Sequence, residues 1–397
     1  MCGLPGDTIF LESMDLTELT TPHSTPTTPT FPEDNEQQHI HCQVNQAFCF
    51  IFQIRQYLRF STTSSIPQYV RHLTILTNST RLPSNFLKYC EQLTSIDFST
   101  LGERPMIEEL PSGFLVGCSG LVDVYLSPLS HLTSIPEYFL SGCTGLSTVD
   151  ISPLSNLKEP HPWGFLHRCS GLTSIDLSPL SHLTSLSGGF LYACKSLKKI
   201  DLTSFSNLKH FSSGFLSGCS GLTEIDLKPL SNIQAVPEYF LYNCSGLKEI
   251  DLTPLRHLSE LREGFLYGCS GLVEIDLSPL AHMDVLPASF LRGCSGLKTI
   301  DLSPLSNLIV VPPGFLHECS GLTTLDLRPF SHMRDVPIDF LMGCTGLKTI
   351  VPLHSAPNTK KKDRAHLNVR QPINDDGVFV KLCLSAGGSG KGKCVLL

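Results

Sequence analysis

Three stretches that follow one another directly decide the fold: CSGLTEIDLKPLSNIQAVPEYFLYN (219–243), CSGLKEIDLTPLRHLSELREGFLYG (244–268) and CSGLVEIDLSPLAHMDVLPASFLRG (269–293). They are near copies of one 25-residue unit. The cysteine that opens the unit recurs at Cys90, Cys118, Cys143, Cys169, Cys194, Cys219, Cys244, Cys269, Cys294, Cys319 and Cys344. Successive spacings are 28, 25 and 26 residues and then 25 residues seven times, which makes ten complete repeats. A fixed period of this length indicates stacked repeats, each contacting its neighbours.

Each repeat divides into an extended segment and a returning segment. In the first of the three units, Leu222, Ile225 and Leu227 follow the pattern L-x-x-I-x-L, whose end alternates as a strand does. In the remainder, Pro229 and Pro237 favour turns and short helical starts over one long helix. Stacking is needed because a single unit has no partner for its apolar face. The sequence therefore predicts an α/β repeat solenoid with one short parallel strand per repeat and irregular or short helical return segments.

This pattern resembles the leucine-rich repeat, and within it the BspA-like, Treponema-type subclass. The resemblance rests on the strand motif L-x-x-I-x-L and on the returning apolar pair and cysteine, as in Phe240-Leu241-x-x-Cys244. It extends over roughly residues 66–353. The units run longer than is usual in the subclass and carry a Pro-Leu pair after the strand. The resemblance implies a surface for interaction or adhesion, without catalysis.

Composition and charge exclude several classes of protein. The chain has 397 residues, of which 41% are hydrophobic and only 16% charged, so it is not mainly disordered. Its net charge of -7 argues against binding to nucleic acid, which favours a basic excess. No apolar run approaches the ~18 residues of a membrane-spanning helix, and no secretory signal is visible at the N-terminus. Length alone predicts two or three domains, but the repeat favours a single central one.

Four regions are predicted along the chain. Residues 1–40 are rich in Thr and Pro and are predicted to be disordered. Residues 41–65 contain FCFIFQI (48–54) and are interpreted as a cap on the open end of the stack. The solenoid occupies residues 66–353, and residues 354–397 form a flexible basic tail.

Equivalent positions in a stack form columns, and one column is acidic. We call it the aspartate column: Asp150, Asp176, Asp201, Asp226, Asp251, Asp276, Asp301 and Asp326, with Asp97 before an interruption at Tyr125. Carboxylates ~4.8 Å apart repel by about 1 kcal/mol even in water. One explanation is repeat duplication with hydrogen bonds from neighbouring Ser and Thr hydroxyls. The other is an acidic concave face for a basic protein partner, deepened by Glu224, Glu249 and Glu274.

No catalytic residue, metal ligand or cofactor site is predicted. Eight equivalent carboxylates on an open face provide no unique acid and base, so a carbohydrate-acting enzyme is only a weak alternative. The cysteine column is expected to hold buried thiols that act as small apolar fillers, since parallel equivalent side chains rarely reach disulfide geometry. Zinc on His257 and His282 would lack further ligands. These two belong to a column predicted to bond to the backbone where each strand ends: His131, Asn156, His182, Asn207, Asn232, His257, His282, Asn307 and His332.

The C-terminus carries a candidate lipidation signal. Cys394-Val395-Leu396-Leu397 matches the prenylation box, and its terminal Leu indicates geranylgeranyl. From residue 354 onward, eight Lys and Arg stand against three Asp, a net charge of +5, while the preceding residues carry -12. A basic tail beside a lipid provides the two signals that stable anchoring needs. Cys383 is a candidate for a second, acylated site.

Two interpretations of function follow. The first is a non-enzymatic protein-interaction scaffold, anchored through prenylated Cys394 at the cytoplasmic face of a membrane. The alternative is a BspA-like adhesin or surface antigen at the cell surface. Prenyl transfer is cytosolic, so the box separates the two. Sequons at Asn78-Ser79-Thr80 and Asn243-Cys244-Ser245 matter only if the chain is secreted.

Overall fold

The computed structural model describes residues 9–11, 48–54, 70–77, 81–82, 84–98, 107–158, 163–333, 336–337, 339–351, 381–383 and 394–396. The chain divides into two compact units, Met1–Leu180 and Ser181–Leu397. Most of the predicted Thr/Pro-rich segment and basic tail lies outside the described residues, as does the glycine-rich run near the C-terminus.

The first unit contains a five-stranded parallel sheet whose strands follow chain order. Its strands are β1 (Ile9–Leu11), β2 (Phe48–Ile54), β3 (Val70–Thr77), β4 (Ser95–Asp97) and β5 (Asp123–Tyr125). Strand β2 falls in the predicted cap and pairs with β3 along its whole length. Strand β1 falls in the region predicted to be disordered, and its three residues pair with β2. Three 3-10 helices follow: Ser127–Leu129, Ser152–Leu154 and Ser178–Leu180.

The second unit is built from the most regular repeats. Its parallel pairs are β6 (Ser185–Leu186) with β7 (His210–Phe211) and β8 (Thr324–Asp326) with β9 (Thr349–Val351), and β10 (Lys381–Cys383) pairs antiparallel with β11 (Cys394–Leu396). Its 3-10 helices are Thr203–Phe205, Lys228–Leu230, Thr253–Leu255, Ser278–Leu280, Ser303–Leu305 and Arg328–Phe330. Most of these short helices carry proline in their first turn, as predicted, because proline presets the helical φ.

The repeat solenoid fold is confirmed, with very short strands. In the central repeats the L-x-x-I-x-L segment is extended, and backbone hydrogen bonds join its first variable residue to the preceding repeat. Lys248 N–H donates to the Thr223 carbonyl at 3.3 Å, and Val273 N–H to the Lys248 carbonyl at 3.2 Å.

A column of phenylalanines forms the centre of each unit. Phe86, Phe114, Phe139 and Phe165 stack in the first unit with ring centroids 6.2–6.3 Å apart. In the second unit, consecutive rings lie 5.8–6.1 Å apart: Phe190, Phe215, Phe240, Phe265, Phe290, Phe315 and Phe340. Most of these side chains are fully buried, which gives each repeat the partner that it lacks alone.

The cysteine column supplies a hydrogen-bond donor to the carbonyl of the buried leucine that follows each phenylalanine. Leu241 has a φ of +55°, a left-handed conformation that is costly for leucine. Its carbonyl accepts a hydrogen bond at 3.2 Å from the thiol of Cys269, 28 residues later. The equivalent bond from Cys244 to Leu216 measures 3.1 Å. The cysteines are thus buried thiols, as expected, but they are also donors and not merely apolar fillers.

The glycine of the C-S-G-L turn allows adjacent backbones to approach closely. A Cβ on Gly271 would lie 2.5 Å from the carbonyl oxygen of Ser245 and 2.9 Å from that of Leu247. Because both neighbours are backbone atoms of the preceding repeat, no rotamer change could relieve the clash. Glycine here sets the spacing between repeats.

Candidate functional site

The aspartate column is engaged by the backbone at the end of each strand segment. In every member, Oδ1 accepts a hydrogen bond at 2.8–2.9 Å from the backbone N–H two residues ahead, at the start of the 3-10 helix. This is an Asx turn, which supplies an acceptor to a donor that the short helix leaves unsatisfied. The column therefore recurs for a structural reason.

The second carboxylate oxygen is also engaged in several repeats. The Ser278 hydroxyl donates to Asp276 Oδ2 at 2.8 Å, and that of Ser303 donates to Asp301 Oδ2 at 2.8 Å. Hydrogen bonds from the Thr253 side chain and backbone lower the pKa of Asp251, and the Arg328 side chain does the same for Asp326. These contacts support the predicted network of aspartates and hydroxyls.

A second set of acidic residues, the glutamate row, lies two residues before the aspartates in three successive repeats. Glu224, Glu249 and Glu274 are exposed. Together with Asp251 and Asp276 they border a depression of about 520 Å³, the acidic groove. Its remaining lining consists of Ile225, Ile250 and Ile275. The groove thus combines carboxylate walls with an apolar floor.

Cations of the chain itself approach this strand face. Lys199 Nζ lies 2.5 Å from Glu224 Oε1, in the repeat next to the groove. Arg328 forms two hydrogen bonds from Nε to the Asp326 carboxylate, both at 3.0 Å, beyond the other end of the row. Within the described part of the chain, no ion pair engages Glu249 or Glu274.

Lysines that the sequence analysis missed border the strand face. They occupy the first variable position of the strand motif in alternate repeats: Lys198, Lys248, Lys298 and Lys348. All four are exposed, and none lines the acidic groove. Their regular 50-residue spacing was visible in the sequence. The surface formed by the L-x-x-I-x-L segments is therefore acidic in its groove, and the four lysines make one border of it basic.

The His/Asn column makes the predicted contacts with the backbone. His257 and His282 place Nε2 2.8 and 2.7 Å from carbonyl oxygens 24 residues earlier. The Asn307 amide donates to the Ala281 carbonyl at 3.1 Å, 26 residues earlier. In both cases the acceptor belongs to the preceding repeat, so the column ties neighbouring repeats together. No group of three or more His, Cys, Asp or Glu suited to a metal ion occurs in the described ranges.

The buried thiols are unsuited to nucleophilic chemistry. Burial raises the pKa of Cys219 and of Cys269 to about 12. A thiol attacks as its thiolate, which is scarce at such a pKa. Cys394 lies outside this column, in β11, where its backbone pairs with that of Cys383 in β10.

Comparison with known proteins identifies the family. A model described as the BspA type leucine rich repeat region (6 copies) matches over four overlapping ranges: residues 59–165, 108–233, 164–272 and 217–348. The chain belongs to this family. No curated protein sequence matches the chain. Among the residues that the structure describes, no helix has the length and apolar character needed to span a bilayer.

Solved structures of bacterial leucine-rich repeat proteins are similar to this chain. A leucine rich cell surface protein from Faecalibacterium prausnitzii is 15% identical, with 76% of this chain and 80% of that chain covered and a TM-score of 0.48. A leucine-rich repeat protein from Bacteroides ovatus is 17% identical, with coverage of 78% and 82% and a TM-score of 0.44. The functional domain of InlJ from Listeria monocytogenes, which includes a cysteine ladder, is 18% identical, with coverage of 72% and 63% and a TM-score of 0.33.

Proposed function

We propose that this chain is a non-enzymatic binding protein that holds a basic segment of a protein partner in the acidic groove. The observation that carries this proposal is the arrangement of the glutamate row above an isoleucine floor. Membership of the BspA-type family favours a protein-interaction or adhesion role. It also favours a position at the cell surface over the cytoplasmic face of a membrane.

The chemistry of the groove suits a lysine or arginine side chain. Such a side chain lays its aliphatic stem on apolar surface while its charged end stays among polar groups. Ile225 and Ile250 would contact the stem, and the neighbouring glutamates would bind the cation. A bound cation would also relieve the repulsion between like charges in successive repeats.

The glutamates are better placed than the aspartates to make this contact. The aspartate Oδ1 atoms already accept backbone hydrogen bonds. The chain's own Lys199 provides an internal example of a cation that pairs with the glutamate row, at Glu224. Glu249 and Glu274 are the next two members along the row, and a partner would supply their cations.

Charge-neutralising substitutions test the proposal. A double variant, Glu249→Gln with Glu274→Gln, should bind a fluorescent oligolysine peptide about 3- to 10-fold more weakly than the parent at low salt. The matched control is Glu238→Gln with Glu263→Gln, which removes the same charge from exposed positions on the return segments. Anisotropy titrations at two salt concentrations give the comparison. If both variants lose the same affinity for the peptide, net charge alone explains the binding and the proposed site is wrong.

A lipid anchor at Cys394 is a second candidate function, favoured by the prenylation box and the tail charge of +5. Replacing Cys394 with Ser removes the thiolate that attacks the prenyl donor. At ~0.8 kcal/mol per buried CH₂, the basic tail alone cannot replace the lipid, so the variant should leave the membrane fraction. Cys383→Ser is the matched control, and neutralising Lys381, Lys391 and Lys393 should weaken attachment less, by about 1 kcal/mol per charge. Unchanged partitioning of the Cys394 variant in cells would exclude the anchor.

A further inference from the structure

A group of aromatic side chains lies on the return segments of the second unit, and we call it the tyrosine cluster: the exposed Tyr239 and the half-buried Tyr242 and Tyr267. The Tyr239 and Tyr242 rings meet edge to face with centroids 5.6 Å apart. Tyr242 and Tyr267 stack at 4.5 Å, with 16° between their planes. The guanidinium of Arg292 lies 5.6 Å from the Tyr267 ring centroid. Tyr239 remains 39% exposed.

Tyr239 occupies a left-handed position that holds glycine in several repeats, but also Tyr138 (φ +59°) and Ser289 (φ +62°). The φ of Tyr239 is +60°, whereas the equivalent residues Gly214, Gly264 and Gly314 have φ of +79°, +75° and +72°. Glycine adopts this conformation without cost, but tyrosine does not. The ring packs against the next repeat, since a Cβ on Gly264 would lie 2.6 Å from its Cδ1. Tyr138 packs on Gly164 in the same way, so this ring contact belongs to the fold, and the exposed remainder of the Tyr239 ring is the part that is open to a ligand.

The sequon Asn243-Cys244-Ser245 lies directly beside this cluster. Asn243 is exposed and has a φ of +53°, a conformation that asparagine tolerates well. Its Oδ1 faces Gly268, where a Cβ would lie 1.9 Å away. The Ser245 that completes the sequon is exposed as well.

We infer that Asn243 carries an N-linked oligosaccharide whose first pyranose ring packs on Tyr239 and Tyr242. A transferase would join Asn243 Nδ2 to the anomeric carbon of a lipid-pyrophosphate-linked oligosaccharide. The bond from that carbon to the pyrophosphate oxygen breaks, the lipid pyrophosphate leaves, and the amide loses one proton. The inference goes beyond the proposed binding function and requires that the chain pass through a secretory compartment.

A covalently attached sugar is the occupant that best fits the cluster. The apolar C–H face of a pyranose can cover an exposed ring such as Tyr239, and its hydroxyls can exchange hydrogen bonds with the neighbouring phenols. The contact between one sugar and two rings is weak by itself. The covalent link to Asn243 raises the effective concentration of the sugar to the millimolar range or higher, so a weak contact is still occupied.

Mass analysis of the full-length protein from the cells that make it tests the modification. The peptide that contains Asn243 should be heavier by a hexosamine-containing glycan, and peptide N-glycosidase should convert Asn243 to aspartate. Ser245→Ala should abolish the glycan and Ser245→Thr should retain it, without changing the left-handed asparagine. Ser220→Ala, at the equivalent position one repeat earlier, is the control that should have no effect. An unmodified Asn243 in the native protein would overturn the inference.

A second measurement tests the packing of the sugar on the cluster. Tyr239→Gly restores the glycine of the equivalent repeats, so it should fold and keep its glycan. Enzymatic removal of the glycan should lower the thermal unfolding midpoint of the parent by a few degrees and leave that of Tyr239→Gly nearly unchanged. Equal shifts in both proteins would show that the glycan does not contact Tyr239. Peptide binding by the Ser245→Ala protein should equal that of the parent, so failure here is distinct from failure of the acidic groove.

Discussion

The aspartate column and the glutamate row lie two residues apart in the sequence, yet only the aspartates make hydrogen bonds that the fold requires. Each aspartate accepts a backbone hydrogen bond from the start of a 3-10 helix. Glu249 and Glu274 make no such contact among the described residues, and they border a groove. The column recurs in eight repeats and the row in only three.

The difference teaches how to separate structure from function in a repeat protein. A residue type that recurs in nearly every repeat is explained by contacts that every repeat makes, as with the phenylalanine and cysteine columns. A residue type confined to neighbouring repeats has no such explanation and is a better candidate for binding. Charge alone does not distinguish the two sets, because both are exposed carboxylates.

The largest expected effect concerns the cysteine column at alkaline pH. The folded pKa of Cys219 and of Cys269 is about 12, above the ordinary value of 9.0. A raised folded pKa means that the unfolded chain loses its thiol protons first, so stability is intact below pH 9.0 and falls as pH rises towards 12. Each such thiol contributes about 1 kcal/mol per pH unit in that window. Denaturant unfolding at a series of pH values measures the slope, which Cys269→Ala should reduce. Constant stability across the window would contradict the column's burial.

Removing one ring from the phenylalanine column should give the largest effect of any single substitution proposed. Phe265 is fully buried and stacks between Phe240 and Phe290 at 5.9 and 6.0 Å. Phe265→Ala should lower the free energy of unfolding by about 3–5 kcal/mol, because it leaves a cavity in a close-packed core. Phe265→Leu, which keeps most of the volume, should cost clearly less. A loss below about 1 kcal/mol for the alanine variant would mean that the stack is not the structural centre.

An intermediate effect is expected in the aspartate column. Asp301→Ala removes the acceptor of the Ser303 N–H and should destabilise the protein by about 0.5–2 kcal/mol, as loss of a helix cap does. Asp301→Asn keeps an oxygen in place and should cost much less. Since Asp301 does not line the acidic groove, neither variant should change oligolysine affinity beyond the effect of net charge. Urea midpoints and the anisotropy titration together give the result. Equal destabilisation by Ala and Asn would indicate that charge, and not the Asx turn, matters.

The smallest expected effect on stability belongs to the glutamate row. The Glu249→Gln, Glu274→Gln protein should unfold within about 0.5 kcal/mol of the parent, because exposed positions without structural contacts tolerate change. Its peptide affinity should nevertheless fall. A marked loss of stability in this variant would show that the glutamate row has a structural role, as the aspartate column does.

Much of the fold could be predicted because it depends on local pattern. The apolar residues of the return segment 228–243, whose recurrence in every repeat favours burial, are buried in the structure: Leu230, Ile233, Val236, Phe240 and Leu241. The backbone contacts of the His/Asn column were also predicted, since imidazole and amide groups at a corner have few other partners.

Other features depend on distances between repeats, which sequence does not give. The left-handed leucines and their thiol donors arise only when one repeat packs on the next. The Asx turn, in contrast, is local, and the recurring D-x-[ST] pattern could have predicted it in all but the two repeats that carry Lys228 and Arg328. Sequence analysis grouped the glutamates with the aspartates because both point outward. Only their hydrogen bonds separate them.

The sequence separation between donor and acceptor in the hydrogen bonds between repeats limits how many residues the gene can gain or lose at once. The Cys269 thiol bonds to a residue 28 positions earlier, His282 to one 24 earlier and Asn307 to one 26 earlier. Each partner lies about one repeat length earlier, so a chain that gains or loses one whole unit by unequal recombination would find equivalent partners at the new junction. Excision of residues 244–268, for example, would place Cys269 beside Leu216 and shorten the glutamate row by one member. Binding length could thus be adjusted in whole-repeat steps, whereas a deletion of any other length would separate the donors just after the junction from their partners just before it.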